Sequence, residues 1–279
     1  MDHPRRPPGW TAPGPAPAGA GADPDLQPGA DEDLAYLAGD WRLFQPRVGH
    51  RWSLDDLVTA DLALEAAPGA SDVIDLGCGL GSVLLLLAWR LPAATLVGIE
   101  AQAARAARAR RSIRFNGVAG RCRVAEGDLR ADLGAVRAMV PAGAALVTGT
   151  PPYFPPGTAT AAIDDEAAAC RIEARGGVEA YLAAAATLAA PAGTFVMCFA
   201  APEEARVAAA AARTGWAAAR RRYIIPRLGK PALIVVEAFT RVAQETRCDE
   251  LVVRDAGGQW TPAFAAVRAR FGMPTRPPR

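Results

Sequence analysis

A short apolar run followed by closely spaced glycines has the clearest chemical meaning in this 279-residue sequence. The run contains Asp75, and Gly77, Gly79 and Gly81 follow it at alternate positions, with Cys78 between the first two. Glycine lets a backbone turn sharply and approach a ligand that a Cβ atom would exclude. The pattern predicts a ligand-binding turn between a strand and a helix. Alone it is a weak signal, because dinucleotide-binding proteins share it.

Carboxylates at the ends of predicted strands indicate which kind of ligand the glycine turn would bind. Glu100 ends the next apolar run, where a carboxylate can accept hydrogen bonds from both hydroxyls of a ribose. Asp128 follows a third run, beside Leu129, and could accept a hydrogen bond from an adenine amine. Asp75, just before the glycines, suits an ammonium group. Alone, Glu100 would be a solvated strand end and Asp128 a helix cap; in this order they favour a nucleoside ligand that carries an ammonium.

A second group of residues follows the fourth predicted strand. Thr150-Pro-Pro-Tyr-Phe154 holds two consecutive prolines, which fix an extended chain. The ring of Tyr153 offers a face for a flat group, and such stacking contributes about 1–3 kcal/mol per base. We expect Thr150, Pro151 and Tyr153 to be catalytic, with Pro152 and Phe154 in contact with the substrate. The alternative is a rigid loop that only covers the core.

Alternating strands and helices must position these residues. Strands are predicted at 72–76, 95–100, 121–125, 144–148 and 195–199, and helices at 81–90, 101–116 and 177–189. This alternation indicates an α/β fold with a mostly parallel sheet covered on both faces. Two later β-prone runs, 220–226 and 231–240, predict an antiparallel hairpin.

The glycine motif also carries a family resemblance. Asp75-Leu-Gly-Cys-Gly-Leu-Gly81 resembles the first motif of class I S-adenosylmethionine-dependent methyltransferases, and Glu100 matches their acidic second motif. The resemblance covers about residues 41–242 and implies a Rossmann-like sheet of seven strands closed by the C-terminal hairpin. It also implies S-adenosylmethionine as the cofactor, held in the turn, with Glu100 on the ribose and Asp128 near the adenine.

The second group of residues resembles a more specific motif. Thr150-Pro-Pro-Tyr153 is similar to the Asn-Pro-Pro-Tyr motif of methyltransferases that modify planar amines in DNA, RNA or protein glutamine. In that family the Asn and the first Pro carbonyl hold the amine, and the Tyr stacks on its plane. Pro151 and Tyr153 match, but Thr150 replaces the Asn. A threonine hydroxyl lacks the reach and the second polar group of an amide.

An upstream segment narrows the resemblance further. Gly49-His-Arg-Trp-Ser-Leu-Asp-Asp56 resembles the opening segment of bacterial methyltransferases that act on adenine N6 in the anticodon loop of valine tRNA. This resemblance implies that Trp52, Ser53 and Asp55 line the cofactor pocket, although Ser53 is equally well placed as a helix N-cap. Stretches near residues 171–173, 177–181 and 225–230 match as well.

The same resemblance implies tRNA as the partner. The net charge of +2 neither requires nor forbids nucleic acid. Arginines are concentrated in two regions that could contact phosphates or form a solvated face: Arg105, Arg108, Arg110, Arg111, Arg114, Arg121 and Arg123, then Arg220, Arg221, Arg222 and Arg227 with Lys230. The alternatives to tRNA methylation are a protein glutamine or small metabolite as acceptor, or a protein that binds S-adenosylmethionine without catalysis.

Composition divides the chain into four parts. We expect a disordered Pro/Gly/Ala-rich tail at 1–32, a helical cap over the cofactor site at 33–69, the methyltransferase domain at 70–242 and a C-terminal extension at 243–279 with a small strand pair and a short helix. Five scattered cysteines without a CxxC pair, and two histidines, argue against disulfides and a metal site. Without a long apolar run, we expect a cytoplasmic enzyme with no membrane segment.

Overall fold

The computed structural model of the chain describes residues 9–153 and 176–275. Its strands are β1 (Glu32–Tyr36), β2 (Arg42–Pro46), β3 (Asp72–Leu76), β4 (Thr95–Glu100), β5 (Cys122–Glu126), β6 (Ala144–Gly149), β7 (Ala189–Ala200), β8 (Ala217–Ile225), β9 (Ile234–Thr240) and β10 (Arg247–Val252). Its helices are α1 (Leu54–Ala66), α2 (Ser82–Arg90), α3 (Ala103–Phe115), α4 (Leu133–Met139), α5 (Val178–Leu188), α6 (Glu204–Arg213) and α7 (Pro262–Arg270). In these two ranges no helix could cross a bilayer, since the longest have 13 residues and a span needs about 20.

Eight of the strands form one sheet in the order β10-β8-β9-β7-β6-β3-β4-β5. The strands from β3 to β7 pair in parallel, while β9 is antiparallel to both β7 and β8. The predicted α/β fold, with a mostly parallel sheet and an antiparallel hairpin near its end, is confirmed. The sheet gains an eighth strand because β10, from the C-terminal extension, pairs in parallel with the outer edge of β8. The predicted second strand there is a single bridge between Arg254 and Trp260.

Two hydrophobic layers cover the sheet. Along β3, Val73 faces the layer formed by α1, α2, α3 and α7, and the next residue, Ile74, faces the layer formed by α4, α5 and α6. Neighbouring side chains of a strand point to opposite faces, so a strand buried on both sides has a continuous apolar sequence. This burial explains the apolar runs from which the strands are predicted.

The segment predicted as a helical cap at 33–69 begins instead with a β-hairpin. Strands β1 and β2 pair antiparallel, with Leu34 opposite Phe44, and only α1 is helical. Ser53 caps the start of this helix, and its backbone N–H donates to the Asp56 carboxylate over 2.9 Å. Ser53 is therefore an N-cap residue in a capping box, as the alternative prediction had it.

Residues 9–31 have a defined conformation packed against the core, in contrast to the disorder expected for the tail at 1–32. The Gly19 N–H donates to the Phe115 carbonyl over 2.9 Å. The Arg111 guanidinium donates to the carbonyls of Asp25 and Gln27, each over 2.7 Å. Leu26 is buried with aromatic side chains. Hydrogen bonds from α3 thus order a segment that lacks the apolar pattern of a helix or strand.

Buried charges attach the C-terminal extension to the core. Asp61 of α1 is 1% exposed and pairs with Arg222 of β8 over 3.1 Å and with Arg270 of α7 over 2.6 Å. Arg222 also pairs with Asp249 of β10 over 2.5 Å. Four elements from distant parts of the sequence therefore share one charge network.

Candidate functional site

The glycine turn between β3 and α2 has the backbone that the sequence predicts. Gly77, Gly79 and Gly81 have φ angles of +58°, +57° and +83°, which side chains other than glycine rarely adopt. The Cys78 N–H donates to the Ile99 carbonyl over 2.9 Å and ties the turn to β4. A Cβ atom on Gly77 would lie 2.1 Å from the hydroxyl oxygen of Tyr181. The turn therefore requires glycine for both conformation and space.

Glu100, at the end of β4, holds the turn from the other side. One of its carboxylate oxygens accepts from the Gly79 N–H over 2.9 Å, and the other accepts from the Gln102 N–H over 2.7 Å. The side chain is 6% exposed yet reaches the open space in front of the turn. Each carboxylate oxygen has a second lone pair. Glu100 can therefore still accept hydrogen bonds from two ligand hydroxyls.

The open space, here called the glycine cleft, has about 800 Å³ of empty volume when the solvent at its mouth is included. It lies at the carboxyl ends of β3 to β6, where open α/β sheets bind ligands. Predicted residues that line it are Trp52, Gly77, Cys78, Gly79, Glu100, Asp128, Leu129, Thr150 and Pro152. The cleft is also lined by residues that the sequence patterns do not predict, namely His50, Asp56, Ser82, Gln102, Arg105 and Tyr181.

Asp128 is held at the rim of the cleft. One of its oxygens accepts from the Arg130 backbone N–H over 2.9 Å, and the other accepts from the Arg130 guanidinium over 2.6 Å. The side chain is 26% exposed, so its remaining lone pairs can reach a ligand in the glycine cleft. Leu129 beside it is buried and supplies an apolar wall.

Asp75 does not line the glycine cleft, in contrast to the predicted contact with an ammonium group. It is 2% exposed and accepts a hydrogen bond from the Thr148 hydroxyl over 2.7 Å, beneath the turn. Burial raises the pKa of Asp75 to about 7. Since β3 alternates its side chains between two buried faces, an acid two residues before Gly77 still lies within the strand and points into the core.

Asp56 is the carboxylate that reaches the cleft instead. It is 8% exposed, lines both the glycine cleft and the groove beside it, and accepts hydrogen bonds from the Ser53 N–H and the Ser82 hydroxyl. Burial, and then repulsion from Asp55, raises the pKa of Asp56 to about 8. The sequence feature that could have identified Asp56 is its position three residues after Ser53, as in a capping box.

The groove beside the cleft, here called the Thr150 groove, contains the predicted acceptor residues. Thr150 and Pro152 line both spaces, and Pro151 and Tyr153 line the groove. Phe154 lies outside the described residues, as do residues 171–173. The sequence therefore places Thr150, at the end of β6, where the two spaces join.

Tyr153 is anchored by a residue that was predicted to bind the cofactor. Its hydroxyl donates to Asp55 over 2.9 Å and lies 3.3 Å from the Cys198 sulfur. Burial raises the pKa of the Tyr153 hydroxyl well above its usual value. Ser53 and Asp55 line the Thr150 groove, and of the three residues expected in the cofactor pocket only Trp52 lines the glycine cleft. Asp55 thus positions Tyr153.

Most arginines of the two predicted phosphate-binding clusters are used inside the protein. Arg111 pairs with Glu32 over 2.7 Å, Arg220 with Glu65 over 2.6 Å, and Arg221 with Glu237 over 2.7 Å. Arg121 donates to backbone carbonyls at the end of α2. Acids neutralise three of these arginines, and backbone carbonyls accept the hydrogen bonds of the fourth. Most of the clustered arginines therefore stabilise the fold. In the described part of the chain, no group of His, Cys, Asp and Glu could hold a metal ion.

Comparisons with known proteins agree with this geometry. Residues 73–142 match a family model described as a methyltransferase domain. The tRNA1(Val) (adenine(37)-N6)-methyltransferases of Yersinia pestis (strain Pestoides F) and Yersinia pseudotuberculosis serotype O:1b are each 29% identical over 213 residues, which cover 72% of this chain and 79% of theirs. A solved structure described as a predicted O-methyltransferase from Agrobacterium tumefaciens has a TM-score of 0.60 at 20% identity, over 79% of this chain and 98% of its own, and so shares the fold.

The matched region begins in β3 and ends after α4, so it contains the glycine turn, Glu100 and Asp128. The turn without Cβ atoms, the carboxylate behind it and the cleft at the strand ends fit a nucleoside cofactor that carries a methionine. These findings support a class I methyltransferase that uses S-adenosylmethionine as its cofactor.

Proposed function

We propose that this methyltransferase transfers the methyl group to a planar amine, with adenine N6 in tRNA as the first choice. The main support for this proposal is that Thr150 and Pro152 line both the glycine cleft and the Thr150 groove. An amine held at this junction meets a methyl group presented from the cleft. The names of the 29% identical relatives support adenine in tRNA as the acceptor.

Different residues of the site would bind different parts of the cofactor. We assign the methionine end to the turn from Gly77 to Gly81, including Cys78, and the ribose to Glu100. Asp128 and Leu129 would hold the adenine, and Trp52 would contribute a wall of the cleft. Asp56 takes the role that was expected of Asp75, because its carboxylate lines the cleft and that of Asp75 does not. Pairing with an ammonium group would lower its raised pKa and favour the ionised form.

Catalysis then depends on alignment. When bound, S-adenosylmethionine would supply a methyl group on a positively charged sulfur. The sulfur would leave as a neutral thioether as the amine nitrogen takes the methyl group, and the amine would lose its extra proton to water. The Thr150 hydroxyl accepts one hydrogen of the amine, and the ring of Tyr153, held by Asp55, forms a flat wall beside it. Such orientation can supply most of the rate enhancement, so no strong general base is required.

A transfer assay tests the proposal. The protein is incubated with labelled S-adenosylmethionine and a tRNA1(Val) transcript, and nucleosides are analysed by mass spectrometry. We expect N6-methyladenosine, and none when the adenosine at position 37 is replaced by guanosine. Thr150→Val keeps the shape of the side chain without its hydroxyl, so it should lower the transfer rate several-fold to about tenfold while cofactor affinity is unchanged. Absence of transfer to tRNA would contradict the proposal.

A different acceptor remains the second candidate, because Thr150 lacks the amide that holds planar amines in the resembling motif. The same assay with total protein and with small metabolites distinguishes the acceptors. Label in protein glutamine or in a metabolite, with none in tRNA, would establish that candidate. No label in any pool would favour a protein that binds the cofactor without catalysis.

A further inference from the structure

A third groove, here called the Trp260 groove, lies beside the other two and is assigned no role so far. It holds about 780 Å³ counted to its mouth. Trp260, Phe264, Arg254 and Arg268 of the C-terminal extension form one wall, and Pro226 contributes from the end of β8. Ser53 and Leu54 line both this groove and the Thr150 groove, and Trp52 lines both this groove and the glycine cleft. A chain bound in the Thr150 groove can therefore continue into it.

The side chains of the Trp260 groove combine flat aromatic surface with positive charge. The guanidinium carbon of Arg268 lies 4.0 Å from the ring centre of Trp260. The ring of Phe264 contacts Trp260 edge to face, with 5.8 Å between ring centres, and fixes its orientation. A preoriented tryptophan with a stacked guanidinium is a surface on which a base can stack beside a phosphate.

Arg268 differs from most arginines of this protein in its surroundings. Its Nε–H donates to the Pro274 carbonyl over 2.8 Å, but within residues 9–153 and 176–275 no carboxylate forms an ion pair with it. Burial lowers its pKa to about 10. By contrast, Arg222 and Arg270 nearby share the acids of the buried charge network. A partly desolvated cation without an acid partner favours an anionic ligand.

We propose that the Trp260 groove binds a nucleotide of the RNA substrate adjacent to the methylated one, with its base against Trp260 and its phosphate at Arg268. This inference rests on RNA as the acceptor, which is part of the proposed function. It gives the C-terminal extension a role in substrate recognition. It also explains how the protein contacts RNA phosphates although most of its clustered arginines are paired internally.

Direct binding measurements test the groove independently of catalysis. The dissociation constant of an anticodon stem–loop RNA is measured for the wild type and for the variants Arg268→Gln and Trp260→Leu. We expect each variant to bind RNA about tenfold or more weakly. Arg268→Gln should also reduce the slope of log affinity against log salt by roughly one, whereas Arg268→Lys should restore the slope. Arg90→Gln, at the far end of α2, removes one exposed charge as the matched control and should leave affinity unchanged.

Two further measurements separate the possible failures. S-adenosylmethionine affinity and melting temperature should match the wild type in Arg268→Gln, which shows that the fold and the cleft are intact. If the wild type methylates tRNA but Arg268→Gln and Trp260→Leu keep its RNA affinity and KM, the groove proposal is overturned while the proposed function stands. If the wild type binds RNA through the groove but transfers no methyl group to it, the proposed function fails, and the groove proposal fails with it, because the groove then binds RNA that is not the substrate.

Discussion

Replacing Gly77 by alanine tests whether the glycine turn holds the cofactor. The φ angle of +58° costs a residue with a Cβ atom roughly 1 kcal/mol. The new Cβ would also lie 2.1 Å from the Tyr181 hydroxyl oxygen and 3.1 Å from the ring carbon that carries it. Tyr181 is only 6% exposed, and it borders the glycine cleft. The ring must therefore move by about 1 Å or more, and its open side is the cleft.

The expected result has two parts. Strain and overpacking together should cost about 2–4 kcal/mol of unfolding free energy, which lowers the melting temperature by about 4–16 °C in a domain of this size. Movement of the ring into the glycine cleft should weaken S-adenosylmethionine binding at least a hundredfold. Calorimetric titration measures the affinity, and a thermal scan measures the stability.

Two controls separate conformation from contact. Gly229→Ala has a φ of +79° and no atom within 4 Å of its new Cβ, so it should show the conformational cost alone and bind the cofactor normally. Combining Gly77→Ala with Tyr181→Phe removes the oxygen nearest to the Cβ and should recover part of the affinity. If Gly77→Ala bound S-adenosylmethionine as tightly as Gly229→Ala does, the assignment of the turn would be refuted.

Three other substitutions address the remaining residues of the site. Asp75 has a folded pKa near 7 against an ordinary value of 3.8, so the wild type should lose about 1.4 kcal/mol of stability per pH unit as the pH rises through this window. Asp75→Asn does not titrate and should gain about 3 kcal/mol relative to the wild type between pH 4 and 7 in urea unfolding; parallel profiles would contradict the burial argument. Asp55→Asn should weaken the hold on Tyr153, raising KM for the acceptor severalfold with unchanged cofactor affinity, and an unchanged KM would mean that Tyr153 needs no anchor. Thr150→Asn should maintain or raise activity on a planar amine, whereas complete loss would indicate that the threonine serves a different acceptor.

The sequence predicts the central strands because burial on both faces requires continuous apolar runs, as in Thr95–Glu100. It predicts Glu100 and Thr150 at the site because the carboxyl ends of neighbouring parallel strands meet at one edge of the sheet. It does not predict the hairpin of β1 and β2, whose strands of five residues lie against α3 without a clear alternation of apolar residues.

Contacts between residues far apart in the chain account for the other differences between the sequence predictions and the structure. The arginine clusters resemble a phosphate-binding surface in sequence, but Arg111 meets Glu32 and Arg222 meets Asp61, each pair formed by residues far apart in the chain. The side chain of Asp75 points from β3 into the core, whereas the side chain of Asp56 points from α1 into the cleft. Neither pairing nor direction can be obtained from local residue patterns, because both depend on how the elements pack.

The pairing of β10 with β8 means that the end of this chain is not a detachable addition. A protein shortened after residue 242 would lose Asp249 and Arg270, and the buried Arg222 and Asp61 would each be left with fewer neutralising neighbours. It would also expose the hydrogen-bonding edge of β8, a surface on which sheets add further chains. Loss of activity after such shortening would therefore report misfolding or association, and only single substitutions can reveal what the final residues recognise.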